Sequence, residues 1–119
     1  MNNYKKLDVW QKGVELVSVA YKLTEKLPKS ESFNLISQIQ RAAISIPSNI
    51  AEGSGRGSDK EFVKFLYIAR GSLYELETLF ELCKRLNFIS DNDFKLVCSK
   101  ILEQIMMVNG LIRSLKNNF

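Results

Sequence analysis

Apolar side chains recur every three or four residues along most of the chain, which is the spacing of helices that bury one face. The repeat predicts four helices, over about residues 8–27, 31–52, 58–87 and 91–115. Only two prolines interrupt the chain, and no run of β-branched residues alternates with period two. Because short connections make neighbouring helices antiparallel, the pattern predicts an all-α, antiparallel up-down-up-down four-helix bundle, formed as one domain over residues 1–119.

The first predicted helix carries two adjacent apolar lines, which predicts a broad buried face. One line is Trp10, Val14, Val17 and Tyr21, and the other is Val9, Leu16, Ala20 and Leu23. Asp8 and Gln11 have the spacing of a capping box at the start of this helix. Pro28 follows its end, and Ser30 or Ser32 is predicted to cap the second helix.

The second predicted helix is unusual because it is almost uncharged. Between Ser32 and Ala51 the only charged residue is Arg41, although 25% of the chain is charged. A helix with one face in water normally carries Lys and Glu there. This pattern favours packing against another subunit, and the alternative is a central helix of a monomeric bundle with a polar outer stripe. Pro47 is predicted to kink or restart this helix.

Residues 53–58 read GSGRGS, which raises the question of a phosphate-binding loop. A Walker loop needs Lys and then Ser or Thr after its last glycine, whereas Gly57 is followed by Ser58 and Asp59. Gly53 is predicted to end the second helix in a left-handed conformation, so valine there should destabilise the fold. Ser58 and Glu61 have the form of a capping box. The stretch is therefore predicted to be a helix connection that needs no ligand.

The composition is mildly basic, with 17 Lys and Arg against 13 Asp and Glu and a net charge of +4. This charge permits nucleic-acid binding without requiring it. The candidate phosphate-binding residues are Lys22, Lys26 and Lys29 at the end of the first helix and Arg56, Lys60 and Lys64 at the start of the third. These groups lie at opposite ends of an up-down bundle, so one subunit is predicted to bind weakly and an oligomer more strongly.

Little in the sequence points to catalysis. There is no histidine, and the two cysteines, Cys83 and Cys98, lie in apolar helical patterns as buried thiols would. Ser72 beside Gly71 indicates a close helix approach, since no base adjoins it. We predict no catalytic residue, no metal and no cofactor. The N-terminus lacks the apolar region of a signal peptide and no membrane span is apparent, so a cytoplasmic protein is expected.

Two stretches carry a resemblance to a known family. The run RAAISIPSNIAEGSGRGSDKEFVKFLYIARGSLYELET, residues 41–78, and the opening KKLDVWQKGVELV, residues 5–17, resemble the four-helix-bundle proteins encoded in intervening sequences of large-subunit ribosomal RNA genes, also labelled S23 ribosomal proteins. The family's elements include Arg41, Ser45, Pro47, Asn49, Glu52, Gly53, Arg56, Glu61, Gly71 and Ser72.

The resemblance implies a ring-like homopentamer without enzymatic activity. It also implies a relationship to the accessory variability determinant of diversity-generating retroelements, basic pentamers that bind nucleic acid. The leading hypothesis is a non-enzymatic homo-oligomer that binds structured RNA or RNA–DNA hybrids. One alternative is a protein-binding scaffold or assembly module without nucleic-acid binding, and another is a small-molecule or metal enzyme.

Overall fold

A computed structural model describes residues 3–119, and in this range the chain is all-α. The four helices are α1 (Asp8–Thr24), α2 (Leu35–Ser54), α3 (Asp59–Arg85) and α4 (Asp91–Lys116), with short 3-10 turns at Tyr4–Lys6 and Lys29–Glu31. The predicted fold class is confirmed. Each predicted helix exists, and its ends differ from the prediction by a few residues.

The helices form an elongated bundle that measures 46 × 23 × 20 Å. Each helix packs against its neighbours in sequence, and α1 packs against α4 to close the bundle. Within residues 3–119, no Cα atom of α1 lies within 8 Å of one in α3, and none of α2 lies within 8 Å of one in α4. The members of each of these pairs therefore lie diagonally across the bundle, and α2 and α4 face opposite sides of the molecule.

The core runs along the whole bundle axis and takes one of the two apolar lines of α1. Leu16 and Ala20 are buried, whereas Val14 and Tyr21 are 40% and 38% exposed. Since α1 contacts only two other helices, its buried face is narrower than two full lines. The fully buried large side chains of the other helices include Ile39, Ile46, Ile50, Leu66, Leu73, Leu76, Phe80, Ile101 and Val108.

The predicted capping box of α1 is wrong. Leu7 is the N-cap residue and makes no side-chain cap bond. The side-chain amide of Gln11 donates to the carbonyl of Lys5 at 2.8 Å instead of returning to Asp8. The 3-10 turn at Tyr4–Lys6 leads directly into α1, so its carbonyls lie where Gln11 can reach them.

The predicted cap of α2 is also wrong, because α2 begins at Leu35 rather than near residue 31. Ser30 lies within the 3-10 turn Lys29–Glu31, and Ser32 ends that turn. Asn34 occupies the N-cap position without a side-chain cap bond. Its Oδ1 instead accepts a hydrogen bond from the Gln38 amide at 2.9 Å.

Gly53 does not end α2 in a left-handed conformation, so that prediction is corrected. It lies inside α2, which continues through Pro47 without a restart and reaches Ser54. The left-handed residue of the loop is Gly57, with φ +90°. Gly53 is needed for a different reason. A Cβ atom there would lie 2.6 Å from the Cβ of Phe65, so glycine lets α2 and α3 approach closely.

Serine side chains cap the starts of both α3 and α4, and the cap at Ser58 was predicted from the sequence. Ser58 Oγ accepts a hydrogen bond from the Glu61 amide at 3.1 Å, and Ser90 Oγ accepts one from the Asp93 amide at 3.0 Å. At its other end, α3 closes in a Schellman motif: Phe88 N–H donates to the Cys83 carbonyl at 2.8 Å. Asn87 takes the left-handed conformation there, with φ 63°.

We predict that Ser58→Ala and Ser90→Ala each lower the free energy of unfolding by about 1 kcal/mol, because each removes the acceptor for one unpaired helix amide. Urea denaturation followed by circular dichroism measures the change. Ser18→Ala is the matched control, since Ser18 is exposed within α1 and alanine favours helix interiors. Equal stability of all three variants would contradict the role of the caps.

Candidate nucleic-acid interface

The three candidate lysines at the end of α1 are all exposed, but only two carry an unpaired charge. Lys26 Nζ lies 2.6 Å from Asp93 Oδ2. The hydrogen bond from Lys26 lowers the pKa of the Asp93 carboxyl, so this pair stays charged on both sides. Lys22 and Lys29 form no ion pair with any residue from 3 to 119. They can therefore both approach a phosphate.

At the start of α3 only one of the three candidate cations is unpaired among the residues described. Arg56 pairs with Glu52, and its guanidinium lies over the Phe65 ring at 4.8 Å from the centroid. Lys64 Nζ lies 2.9 Å from Glu61, and the hydrogen bond from Lys64 lowers the pKa of that carboxyl. Lys60 has no such partner. Pairing within the chain thus halves the charge available to a ligand.

The structure does not bring the two groups of cations together. Because α1 and α3 run in the same direction, the end of α1 and the start of α3 lie at opposite ends of a molecule 46 Å long. The unpaired candidate cations therefore fall into two small groups on each subunit, Lys22 with Lys29 at one end and Lys60 at the other. Such groups bind a polyanion weakly when they occur only once.

The GSGRGS loop borders a cavity of about 310 Å³ at one end of the bundle. The cavity is lined by Asn3, Tyr4, Leu7, Ser54, Gly57, Ser58, Asp59, Phe62 and Leu115. The first turn of α3 carries the carboxylates of Asp59 and Glu61, and the Ser58 hydroxyl already accepts from the Glu61 amide. Carboxylates at this helix start repel phosphate. The geometry favours the helix connection over a phosphate cradle.

Several motif residues join α2 to α3 rather than face a ligand. The hydroxyls of Ser45 and Ser72 lie 2.8 Å apart across the two helices. Asn49 Nδ2 donates to the Ser45 carbonyl at 2.7 Å and to its hydroxyl at 2.9 Å. Together with the close contact at Gly53, these bonds fix the α2–α3 seam. Arg41, in contrast, is exposed on the outer side of α2.

Pro47 packs against α1 at a second close approach. A Cβ atom built on Gly13 would lie 3.6 Å from Pro47 Cβ and 3.1 Å from the amide nitrogen of Gln104. Pro47 is buried, so its ring lies on the side of α2 that faces the core. Gly13 and Pro47 therefore set the spacing between α1 and α2.

Gln104 is a buried polar residue that the sequence analysis missed. It is 1% exposed, and its Nε2 donates to the Val9 carbonyl at 2.7 Å, which ties α4 to α1. Its Oε1 has no hydrogen-bond partner. A signal was present in the sequence, because residue 104 falls in the apolar repeat of Val97, Ile101 and Val108.

The cysteines and carboxylates provide no reactive cluster. Both cysteines are free thiols, and burial raises the pKa of Cys83 to about 11 and also raises that of Cys98. A thiol with a raised pKa is a poor nucleophile at neutral pH. Across residues 3–119 no three cysteine or carboxylate side chains converge as metal ligands would. On α3, Glu75 and Glu77 are exposed, and Glu81 pairs with Arg85 at 2.9 Å.

An apolar surface, here named the α2 face, covers the outer side of α2 and its margins. Its centre is Ser37, Arg41, Ile44 and Ser48 of α2, and its margins are Val14 and Tyr21 of α1 and Ile68 and Leu82 of α3. Its five apolar residues Ile44, Ile68, Leu82, Val14 and Tyr21 are 45%, 51%, 43%, 40% and 38% exposed. Val14 and Tyr21 lie beside α2 because Thr24, on the same side of α1, is hydrogen-bonded to α2. Ile68 and Leu82 lie beside α2 because Ser72, on the same side of α3, is hydrogen-bonded to α2.

A second apolar surface, here named the α4 patch, lies on the outer side of α4. It consists of Leu96, Leu102, Met106 and Met107, and a shallow groove runs between Ser99 and Met107. Leu96, Leu102 and Met106 are 54%, 56% and 65% exposed. Because α2 and α4 are diagonal in the bundle, the α2 face and the α4 patch point in opposite directions.

None of the helices in the described range has a stretch apolar enough to span a lipid bilayer. The four amphipathic helices, the serine-linked α2–α3 seam and the glycine loop define an all-α four-helix-bundle protein. The sequence model of the family described as "23S rRNA-intervening sequence protein" matches residues 5–110. The chain belongs to this family, which confirms the resemblance seen in the sequence.

A solved structure supports the same assignment. The chain is similar to a protein with unknown function from the S23 ribosomal protein family of Bacteroides thetaiotaomicron, whose crystal structure was determined at 1.70 Å resolution. The two share 26% sequence identity with a TM-score of 0.81, over 87% of this chain and 97% of the other. Among curated proteins, none matches the chain significantly.

Proposed function

We propose that this protein is a non-enzymatic homo-oligomer that binds nucleic acid, either structured RNA or an RNA–DNA hybrid. The observation that carries the proposal is the pair of unlike apolar surfaces on opposite sides of the bundle. Contiguous exposed apolar surface is typical of protein contacts. Each surface has a complementary partner on a second copy of the same chain.

The two surfaces allow a head-to-tail arrangement, and the family resemblance favours its closed form, a ring. A two-fold dimer would join one surface to itself, whereas joining the α2 face of one copy to the α4 patch of the next is a head-to-tail contact. Repeated head-to-tail contacts give a closed ring when the rotation between copies closes. The homopentamer that the family resemblance implies is such a ring. The low charge of the α2 face supports the contact, because Arg41 is its only charged residue and so the only one that would need a charged partner or access to water.

Oligomerisation also supplies what a single chain lacks for nucleic-acid binding. One subunit offers the unpaired lysines Lys22, Lys29 and Lys60 and a net charge of +4. Five copies would carry about +20, since five times four is twenty, and would present each lysine five times. Repeated weak contacts on one ligand raise the overall affinity through effective concentration. The family's description refers to 23S rRNA intervening sequences, which makes structured RNA the first ligand to test.

Fluorescence anisotropy of a labelled RNA hairpin, titrated with the protein at several salt concentrations, tests the nucleic-acid half of the proposal. We expect saturable binding whose affinity falls linearly with salt on logarithmic axes, because bound lysines release counterions. An RNA–DNA hybrid of the same length separates the two ligand classes. No binding at low salt by an intact oligomer would overturn this half and favour a protein-binding scaffold.

A matched pair of variants tests the assignment of the unpaired cations. Lys60→Gln and Lys64→Gln remove the same charge from the same turn of α3, but only Lys64 is paired within the chain, with Glu61. We expect Lys60→Gln to weaken binding more and to reduce the salt slope. Equal effects would show that overall charge, rather than contact by Lys60, determines the affinity.

A further inference from the structure

Phe33 is the most exposed large apolar side chain among the residues described. It is 99% exposed, whereas the other exposed apolar side chains lie between 38% and 65%. It lies on the α1–α2 connection, two residues after the 3-10 turn Lys29–Glu31. A ring in this position adds nothing to the core. Both of its faces are free to contact a ligand.

Some cations around this connection are unpaired, and others already contact another side chain. Lys29 lies four residues before Phe33, and Lys22 lies in the last turn of α1; both are exposed and unpaired within residues 3–119. The other nearby cations are occupied. Lys26 pairs with Asp93, and the ammonium group of Lys84 lies over the Phe94 ring at 4.7 Å from the centroid.

The carboxylates nearest this connection, Glu25, Glu31 and Asp91 at the start of α4, form no ion pair with Lys22 or Lys29 within residues 3–119. Glu31 accepts a hydrogen bond of 3.4 Å from the Asn34 amide, and its charge is close enough to Cys83 to help raise the pKa of that thiol. Glu31 is therefore turned toward the end of α3. Glu25 is exposed at the end of α1. The connection thus combines an uncovered aromatic ring with two available cations.

The opposite end of the bundle also has exposed lysines, Lys5, Lys6 and Lys60, without an ion pair in the part of the chain described, but its aromatic rings are less exposed than Phe33. There the Phe65 ring is already covered by the Arg56 guanidinium, and Phe62 is only partly exposed. Phe119 is 58% exposed, but it follows Asn118, whose amide bonds to the acidic Asp59 at 3.0 Å. The two ends therefore differ in the exposure of their aromatic rings.

We propose that Phe33 stacks on an unpaired base of the bound nucleic acid while Lys29 and Lys22 contact the adjacent phosphates. This inference rests on the proposed function and narrows its ligand to nucleic acid with a single-stranded loop, bulge or end. Aromatic rings stack on splayed bases in single-stranded recognition, and lysines beside them follow the backbone. A continuous duplex keeps its bases stacked inside and offers the ring nothing.

The experiment uses two labelled RNAs, a hairpin with a single-stranded loop and a continuous duplex of equal phosphate number. Phe33→Ala should weaken hairpin binding about tenfold, which is the loss of one base–aromatic stack, and change duplex binding less than twofold. Phe33→Trp should restore hairpin binding. Phe119→Ala is the matched control and should leave both affinities unchanged. A 2-aminopurine base in the loop should be quenched by the wild-type protein but not by Phe33→Ala.

The outcomes separate this inference from the proposed function. If the wild-type protein binds neither RNA, both fail. If it binds the hairpin and Phe33→Ala binds equally well, the stacking contact is wrong and the proposed function stands. If Phe33→Ala changes the oligomer mass measured in the same buffer, Phe33 lies at a subunit contact and the inference is overturned.

Discussion

Replacing Gln104 with glutamate will lower the free energy of unfolding by about 3–5 kcal/mol at pH 7, the usual cost of an unpaired buried charge. Gln104 is 1% exposed, and its Nε2 donates to the Val9 carbonyl. Gln104→Glu removes that donor and places a carboxylate oxygen against a carbonyl oxygen in the core. The stability of the variant, followed by urea denaturation, should therefore depend strongly on pH.

The direction of the pH dependence follows from the burial. Desolvation raises the pKa of the introduced carboxyl above its unfolded value. The Gln104→Glu variant is therefore most stable below the carboxyl's unfolded pKa of about 4.3. It loses this stability as the pH rises through the carboxyl's pKa in the folded state. In the protonated form the carboxyl can donate to the Val9 carbonyl as the amide does.

Gln104→Met is the matched control for this prediction. It has a similar volume, loses the bond to Val9, and removes an Oε1 that has no partner. These two changes nearly cancel, so its stability should lie within about 1 kcal/mol of the wild type and show no added pH dependence. A Gln104→Glu variant as stable as Gln104→Met at pH 7 would contradict the buried position of residue 104.

Replacing Gly53 with alanine will lower the free energy of unfolding by about 3 kcal/mol, the upper range for overpacking a core. The added Cβ would lie 2.6 Å from Phe65 Cβ and 3.0 Å from Phe62 Cδ1. Because a Cβ atom is fixed to its backbone, Phe65 cannot move aside by changing rotamer, and α2 must separate from α3. The Ser45–Ser72 bond on the same seam would lengthen with it.

Gly71→Ala is the matched control for Gly53→Ala. Gly71 lies within α3, and a Cβ atom there meets nothing within 4 Å. Alanine at such a site should raise stability by up to about 1 kcal/mol through helix propensity. Thermal denaturation of both variants measures the contrast. If both variants gain stability, the close approach of α2 and α3 at Gly53 is wrong.

The helices could be predicted from the sequence because each carries a long apolar repeat. The starts of α3 and α4 could also be predicted, because Ser58 and Ser90 cap them by accepting a hydrogen bond from the amide three residues later. The predicted caps of α1 and α2 and the start of α2 were wrong because 3-10 turns precede these helices. The conformation of those turns decides which groups Gln11 and Asn34 bond to. Local spacing does not reveal that competition.

Contacts between distant residues limited the prediction of the candidate interface. The sequence indicates six exposed cations, but the pair of Lys26 with Asp93 joins residues 67 positions apart and appears only in the fold. The role of Gly53 was missed for the same reason. The sequence suggested that Gly53 adopts a left-handed backbone conformation, whereas the fold needs glycine there for its close contact with α3. The low charge of α2, in contrast, was visible in the sequence and carries the proposal of self-association.

The association of the α2 face with the α4 patch is the centre of this account, and the mass of the protein in solution tests it most directly. Multi-angle light scattering should give a multiple of the 13.6 kDa chain mass, five-fold for the expected pentamer. Ile44→Glu and Met106→Glu, one on each surface, should each yield folded single chains, while Ser18→Glu on the outer side of α1 should not. A wild-type mass of 13.6 kDa would contradict the account.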